Sequence, residues 1–159
     1  ARLRAYRAAA EQASGIQLVG ELAGDYLRVT AHDATARWLA TQRGVDGVLV
    51  ANDIMAVGVV DALHEAGQRA AVVGVNAIPE AVAAICCGDM LATADFNAMN
   101  MCYLATECAI RHLRGEAVPA RVELPVAIVD RSNCARWDLP YEARHLATLE
   151  ELDACNAAP

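Results

Sequence analysis

Two apolar runs of strand length each end on an asparagine and pass at once into a helical pattern: Gly47-Val-Leu-Val-Ala-Asn52-Asp53-Ile-Met-Ala-Val-Gly58 and Val72-Val-Gly-Val-Asn76-Ala-Ile-Pro79-Glu80. An amide side chain both donates and accepts hydrogen bonds, so two of them at one edge suit a small molecule dense in hydroxyls. In an open parallel sheet, the carboxyl ends of neighbouring strands border one crevice, where ligands bind. A competing reading exists for the first pair: Asp53 caps the following helix and Asn52 merely turns the chain. Asn76 stands at the equivalent point of the next run, where no turn chemistry demands it, and favours the crevice.

Three further residues carry alternatives. Phe96 is the only phenylalanine and closes Met90-Leu-Ala-Thr-Ala-Asp95; it reads either as core packing or as an apolar wall for the C–H face of a ring or polyol. Tyr26, after Gly24-Asp25, is a surface tyrosine or a second wall. Arg2 offers a forked hydrogen-bond pair to hydroxyls, or belongs with Arg4 and Arg7 to a solvated helix face.

Catalytic signatures are missing from the pattern. There is no G-x-S-x-G, no phosphate loop and no G-x-G-x-x-G after a strand. His32, His64, His112 and His145 are not paired with a serine or cysteine nucleophile. Cys86, Cys87, Cys102, Cys108, Cys134 and Cys155 fit no zinc spacing, so neither a metal nor a cofactor is expected and the chain does not read as an enzyme. Export would permit disulfides among these thiols, a cytosolic setting would keep them reduced, and their pairing stays open.

The 159 residues suffice for one core, and 56% are hydrophobic, which excludes disorder over most of the length. A net charge of −7 with scattered arginines argues against nucleic acid as a partner. No apolar run approaches the roughly 20 residues of a membrane-spanning helix. The chain opens in a helical pattern without an initiator Met and reads as a piece of something longer, whose other part carries any export signal.

Strands and helices alternate. Helices are expected over Arg2 to Ala13, Val29 to Arg43, Asp53 to Gly67, Pro79 to Gly88, Ala98 to Arg114 and Tyr141 to Leu152. Strands are expected over Ile16 to Gly20, Val45 to Ala51, Ala70 to Val75, Met90 to Asp95 and Val122 to Asp130, with Asn156 to Pro159 frayed. The class is therefore α/β with a parallel, doubly wound sheet.

Ala51-Asn-Asp-Ile-Met-Ala-Val-Gly58, Ala62-Leu-His-Glu-Ala-Gly67, Val73-Gly-Val-Asn-Ala-Ile-Pro-Glu80, Gly88-Asp-Met-Leu-Ala-Thr93 and Leu113-Arg-Gly-Glu116 occur in order. Together they resemble the carboxyl-terminal half of the type I periplasmic sugar-binding proteins, the ribose- and galactose-binding group that serves ABC importers. Lactose-repressor-type regulators share the fold, and a ligand-sensing domain of such a regulator is the alternative.

The resemblance implies that Asn52, Asn76 and Arg2 hydrogen-bond a sugar or polyol while Phe96 and Tyr26 line the site, in a periplasmic protein that meets membrane importer subunits. Asn76 stands where the family has an acid, Phe96 where it has an amide, and Ala5 replaces a glycine after Arg2, so the identity of the sugar is left open. It also implies a division into 1–96 as one lobe, 97–120 as a helix of a second lobe, 121–133 as the returning strand and 134–159 as a tail. The stripe Met101, Leu104, Ala105 and Cys108 would then be unburied, and the isolated chain would form an oligomer or a swapped dimer.

Overall fold

In the computed structural model, which describes residues 2–41 and 44–156, four strands form one sheet: β1 (Gly47–Leu49), β2 (Ala71–Val75), β3 (Ala92–Asp95) and β4 (Ala127–Asp130). Their order is β1-β2-β3-β4; the first three run parallel and β4 pairs antiparallel to β3. The fold class is α/β with a mainly parallel sheet. The exception is β4, whose approach departs from the expected parallel pairing.

Among the described residues the α-helices are α1 (Arg2–Gln12), α2 (Arg28–Thr41), α3 (Asp53–Glu65), α4 (Pro79–Cys87), α5 (Ala98–Leu113) and α6 (Leu149–Asn156). Because the parallel strands follow one another in order, right-handed crossovers put α3 and α4 on the same face. That face holds Val72, Thr93 and Val129, all fully buried, against Ile85 and Val82 of α4 and Val59 and Leu63 of α3. Each of the valine, leucine and isoleucine side chains among them contributes roughly 1.5–3 kcal/mol by leaving water. The opposite face carries Leu49 and Ile128, 52% and 59% exposed. Helix α2 packs on α3 with Ala31, Ala34 and Leu39 buried. The two helices approach so closely at Gly58 that a Cβ there would lie 2.3 Å from the Arg28 carbonyl oxygen.

Local chemistry explains the element ends. Pro79 opens α4 with its fixed φ, and Gly88 closes it in the left-handed region at φ +91°. The strand around Pro125 begins only at Ala127, since proline removes a ladder donor. Ile16 to Gly20 does not form the expected strand: Ile16, Leu18 and Val19 are more than half exposed, and the segment has no sheet neighbour among the described residues. An alternating apolar run makes a strand only when a partner supplies hydrogen bonds.

The helix expected over Tyr141 to Leu152 is divided into a 3-10 turn (Tyr141–Ala143) and α6, with Arg144 extended between them. A capping box starts α6: the Thr148 amide donates to Glu151 Oε2 (2.7 Å) and the Glu151 amide to Thr148 Oγ1 (3.3 Å). Thr148-Leu-Glu-Glu151 carries that signature in the sequence, which the reading of one continuous helix passed over. Of the end expected to fray, Asn156 closes α6, while 157–159 and the expected stop of α2 at Arg43 fall outside the described residues.

The cysteines whose side chains the structure describes divide in two. Cys86 of α4 is joined to Cys134 by a disulfide across 48 positions, while Cys87, Cys102 and Cys108 are free. On α5, Leu104 is not exposed as expected: Leu149 and Leu152 of α6 bury it. Met101 and Ala105 beside it remain exposed, and Cys108 is half-buried.

Candidate functional site

The carboxyl ends of β1, β2 and β3 present Ala51-Asn52, Asn76 and Phe96 in turn. Arg2 on α1 joins the outer two. It donates a hydrogen bond to the Ala51 carbonyl oxygen, and its guanidinium carbon lies 5.5 Å from the Phe96 ring centroid. Since β2 runs between β1 and β3, Asn76 sits between these contacts. Tyr6, one turn along α1, donates to the Val50 carbonyl oxygen (3.0 Å), and burial pushes its phenol above the usual range against the pull of the Arg2 charge. Helix α1 buries no residue and is tied to the segment that follows β1 by these two polar side chains.

Asn52 and Asp53 exchange the roles that the capping reading gave them. Asn52 is the cap: its backbone is extended (φ −155°) and its Oδ1 accepts from the Met55 amide at 2.9 Å. It is only 7% exposed, and its Nδ2 has no protein partner among the described residues. Asp53 turns inward instead and is fully buried. Its Oδ1 accepts from the Thr93 hydroxyl (2.7 Å) and its Oδ2 from the Ile78 amide (3.0 Å). Burial pushes its carboxyl above the ordinary range despite these donors. The close approach requires Gly74: a Cβ there would lie 2.0 Å from Asp53 Oδ1.

The Asn76-Ala77 step is unusual in backbone terms. Both residues have positive φ, +125° and +52°, although neither is glycine. Four partners surround the step. The Asn76 amide donates to the Ala94 carbonyl (2.9 Å) and the Ala77 amide to Thr93 Oγ1 (3.3 Å), Asp53 takes the Ile78 amide, and the Ala77 carbonyl accepts from Arg144 Nη1 (2.7 Å).

Phe96 is half-buried at the open edge rather than in the core. Tyr26 is 63% exposed on a tight turn at φ +59°, with no hydrogen bond or stacking contact to Arg2, Asn76 or Phe96 among the described residues. The structure therefore brings Arg2, Asn52, Asn76 and Phe96 to one edge and leaves Tyr26 apart from them. Trp137 and Arg144 reach the same edge unforeseen: Trp137 Nε1 donates to Asp95 Oδ2 at 2.8 Å. Nothing local in the sequence marks them, because they arrive from 42 and 67 positions away.

A family model for the periplasmic binding protein domain matches residues 1–117. A provisionally named rhizopine-binding protein of Rhizobium meliloti is 28% identical over 132 residues, 81% of this chain and 43% of the relative. The D-allose-binding periplasmic protein of Escherichia coli (strain K12) is 36% identical over 89 residues, 55% of this chain and 29% of the relative. Among solved structures, the Caulobacter myo-inositol binding protein bound to myo-inositol superposes with a TM-score of 0.75 at 28% identity, covering 83% of this chain and 46% of that one. The chain spans less than half the length of these relatives.

Proposed function

Since the chain belongs to the periplasmic binding protein domain family, we propose that it is the ligand-gripping part of a solute-binding protein for a sugar or polyol importer of the ABC type. The observation that carries this reading is the Arg2 bridge from Ala51 to Phe96 across the strand end that bears Asn76. It places a cation, two amides and an aromatic ring at one edge, which is the mix that a polyhydroxylated ring calls for. Binding of D-allose and myo-inositol by two relatives supports the ligand class. The mechanism is reversible capture: amide and guanidinium groups replace water around hydroxyls, Phe96 covers C–H surface, and a second lobe closes over them. A disulfide at Cys86–Cys134 accords with residence in an oxidising periplasm.

Each hydrogen bond contributes about 0.5–1.5 kcal/mol net, so tight binding requires groups from both lobes. The expected result for the complete protein is a rise in melting temperature with pentoses, hexoses or inositols, growing with ligand concentration and equivalent to about 2.7 kcal/mol at a hundredfold excess over Kd. Asn52→Asp keeps the acceptor that caps α3 but removes the Nδ2 donor, and Asn76→Ala removes the second amide; both are expected to abolish most of the ligand increment. A panel that produces no concentration-dependent shift overturns the proposal.

In this reading α5 packs on the second lobe. Met101 (50% exposed), Ile110 (44%) and Leu113 (84%) of α5, and an apolar groove of about 180 Å³ between Met101, Leu104, Cys108 and Leu124, are then contact surface. Expressed alone, the chain is expected to self-associate through such faces. Sedimentation velocity at about 100 μM, a concentration at which weak contacts register, checks this, and a single monomeric species contradicts it.

A further inference from the structure

The geometry points to Arg144 as a positioning residue for ligand binding, acting from the carboxyl-terminal tail through the Asn76-Ala77 turn. This inference rests on the reading of Asn76 as a ligand contact. A non-glycine residue at positive φ costs of order 1–3 kcal/mol and persists only where its surroundings over-determine it. Asn76 and Ala77 are two such residues in succession. Three of their restraints come from the lobe itself: Ala94, Thr93 and Asp53 hold the amides of Asn76, Ala77 and Ile78. The carbonyl of Ala77, the group whose direction sets the turn between the two strained residues and α4, is held by Arg144 Nη1 at 2.7 Å.

Arg144 is itself fixed. Its Nη2 donates to the Trp137 carbonyl at 3.0 Å, its Nε to the Leu139 carbonyl at 3.3 Å, and its guanidinium carbon lies 4.6 Å from the centre of the half-buried Tyr141 ring. A planar, always-charged fork suits three carbonyl acceptors and an aromatic face at once, whereas an ammonium does not. The tail that carries Arg144 is anchored twice more, by the Cys86–Cys134 disulfide to α4 and by Trp137 Nε1 to Asp95. The disulfide lies at the far end of α4, whereas the Trp137 anchor on Asp95, at the end of β3, lies at the same sheet edge as Asn76, so the tail is held at both edges of the sheet. The tail is thus a brace that keeps the Asn76 amide aimed at the crevice, and ligand affinity depends on a residue that need not touch the ligand.

The test compares the complete protein with Arg144→Ala and Arg144→Lys, reading residue-resolved amide hydrogen exchange without ligand and affinity for the best sugar or polyol by calorimetry. In both variants the Asn76, Ala77 and Ile78 amides are expected to exchange at least about tenfold faster, while Val59 and Val82 in the core keep their protection. Affinity is expected to fall about tenfold, the size of one lost charge-assisted contact, with Lys rescuing little. Exchange at the turn that stays unchanged, or that rises only in step with the core, overturns the inference, as does unchanged affinity beside a loosened turn. A wild-type protein that binds no member of the panel sinks the sugar reading instead, and the ligand-free exchange data still report whether Arg144 holds the turn.

Discussion

Asp53→Ala is expected to destabilise the chain by about 2–6 kcal/mol, because each of two buried donors left without a partner costs about 1–3 kcal/mol. The substitution strands the Thr93 hydroxyl and the Ile78 amide together, at a point where β3, α3 and the start of α4 meet. No water can replace the carboxylate without entering a fully buried site. That loss is a large share of the roughly 5–15 kcal/mol that holds a domain folded. Asp53→Asn is expected to be milder, since one oxygen still serves one donor.

The pH dependence has a definite sign. Burial raises the folded carboxyl above its unfolded value of 3.8, so the folded state holds the proton more tightly. Stability owed to this group is therefore greatest in acid and is lost as pH climbs from 3.8 through the raised value. Urea titrations of wild type and Asp53→Asn at pH 4 and pH 7 check both points. A wild-type advantage that grows with pH contradicts the burial argument.

The second large effect belongs to the covalent link. Reducing Cys86–Cys134, or replacing both residues by serine, frees a loop of 48 positions in the unfolded chain. Loop-closure entropy for that length is about 4 kcal/mol. For a chain of this size that corresponds to a fall in melting temperature of roughly 8–16 °C. Calorimetry with and without a thiol reductant measures it, and an unchanged melting temperature in reductant refutes a stabilising disulfide. Tail residues 134–144 are expected to lose protection before the sheet does, since two of their three anchors to the lobe are single hydrogen-bonding side chains.

The β1-α3-β2-α4 succession was legible in the chain because every signal there is local. Apolar runs of five or so residues, Asn-Asp before α3, Pro79 at the start of α4 and Gly88 at its end act within one or two turns of backbone. The same locality made Asn52 and Asn76 visible as strand-end amides. It also misassigned Ile16 to Gly20, whose alternation is genuine but which lacks a neighbour to pair with.

The exchange of roles between Asn52 and Asp53 shows where local reading stops. Both side chains are competent caps, and only the position of Thr93 and Ile78, 40 and 25 residues away, draws the carboxylate inward and leaves the amide at the helix end. The antiparallel β4, the burial of Leu104 under α6, the Cys86–Cys134 pairing and the reach of Arg144 to Ala77 were likewise settled in three dimensions.

By itself, then, the sequence determined the alternation of elements, the edge on which a ligand could sit and the residue types offered there, since those follow from periodicity, capping and turn chemistry. Tertiary structure alone decided which oxygen is buried, which amide is free and what braces the strained turn. Those outcomes depend on the hydrogen-bond partners that folding brings close, and no spacing along the chain records them.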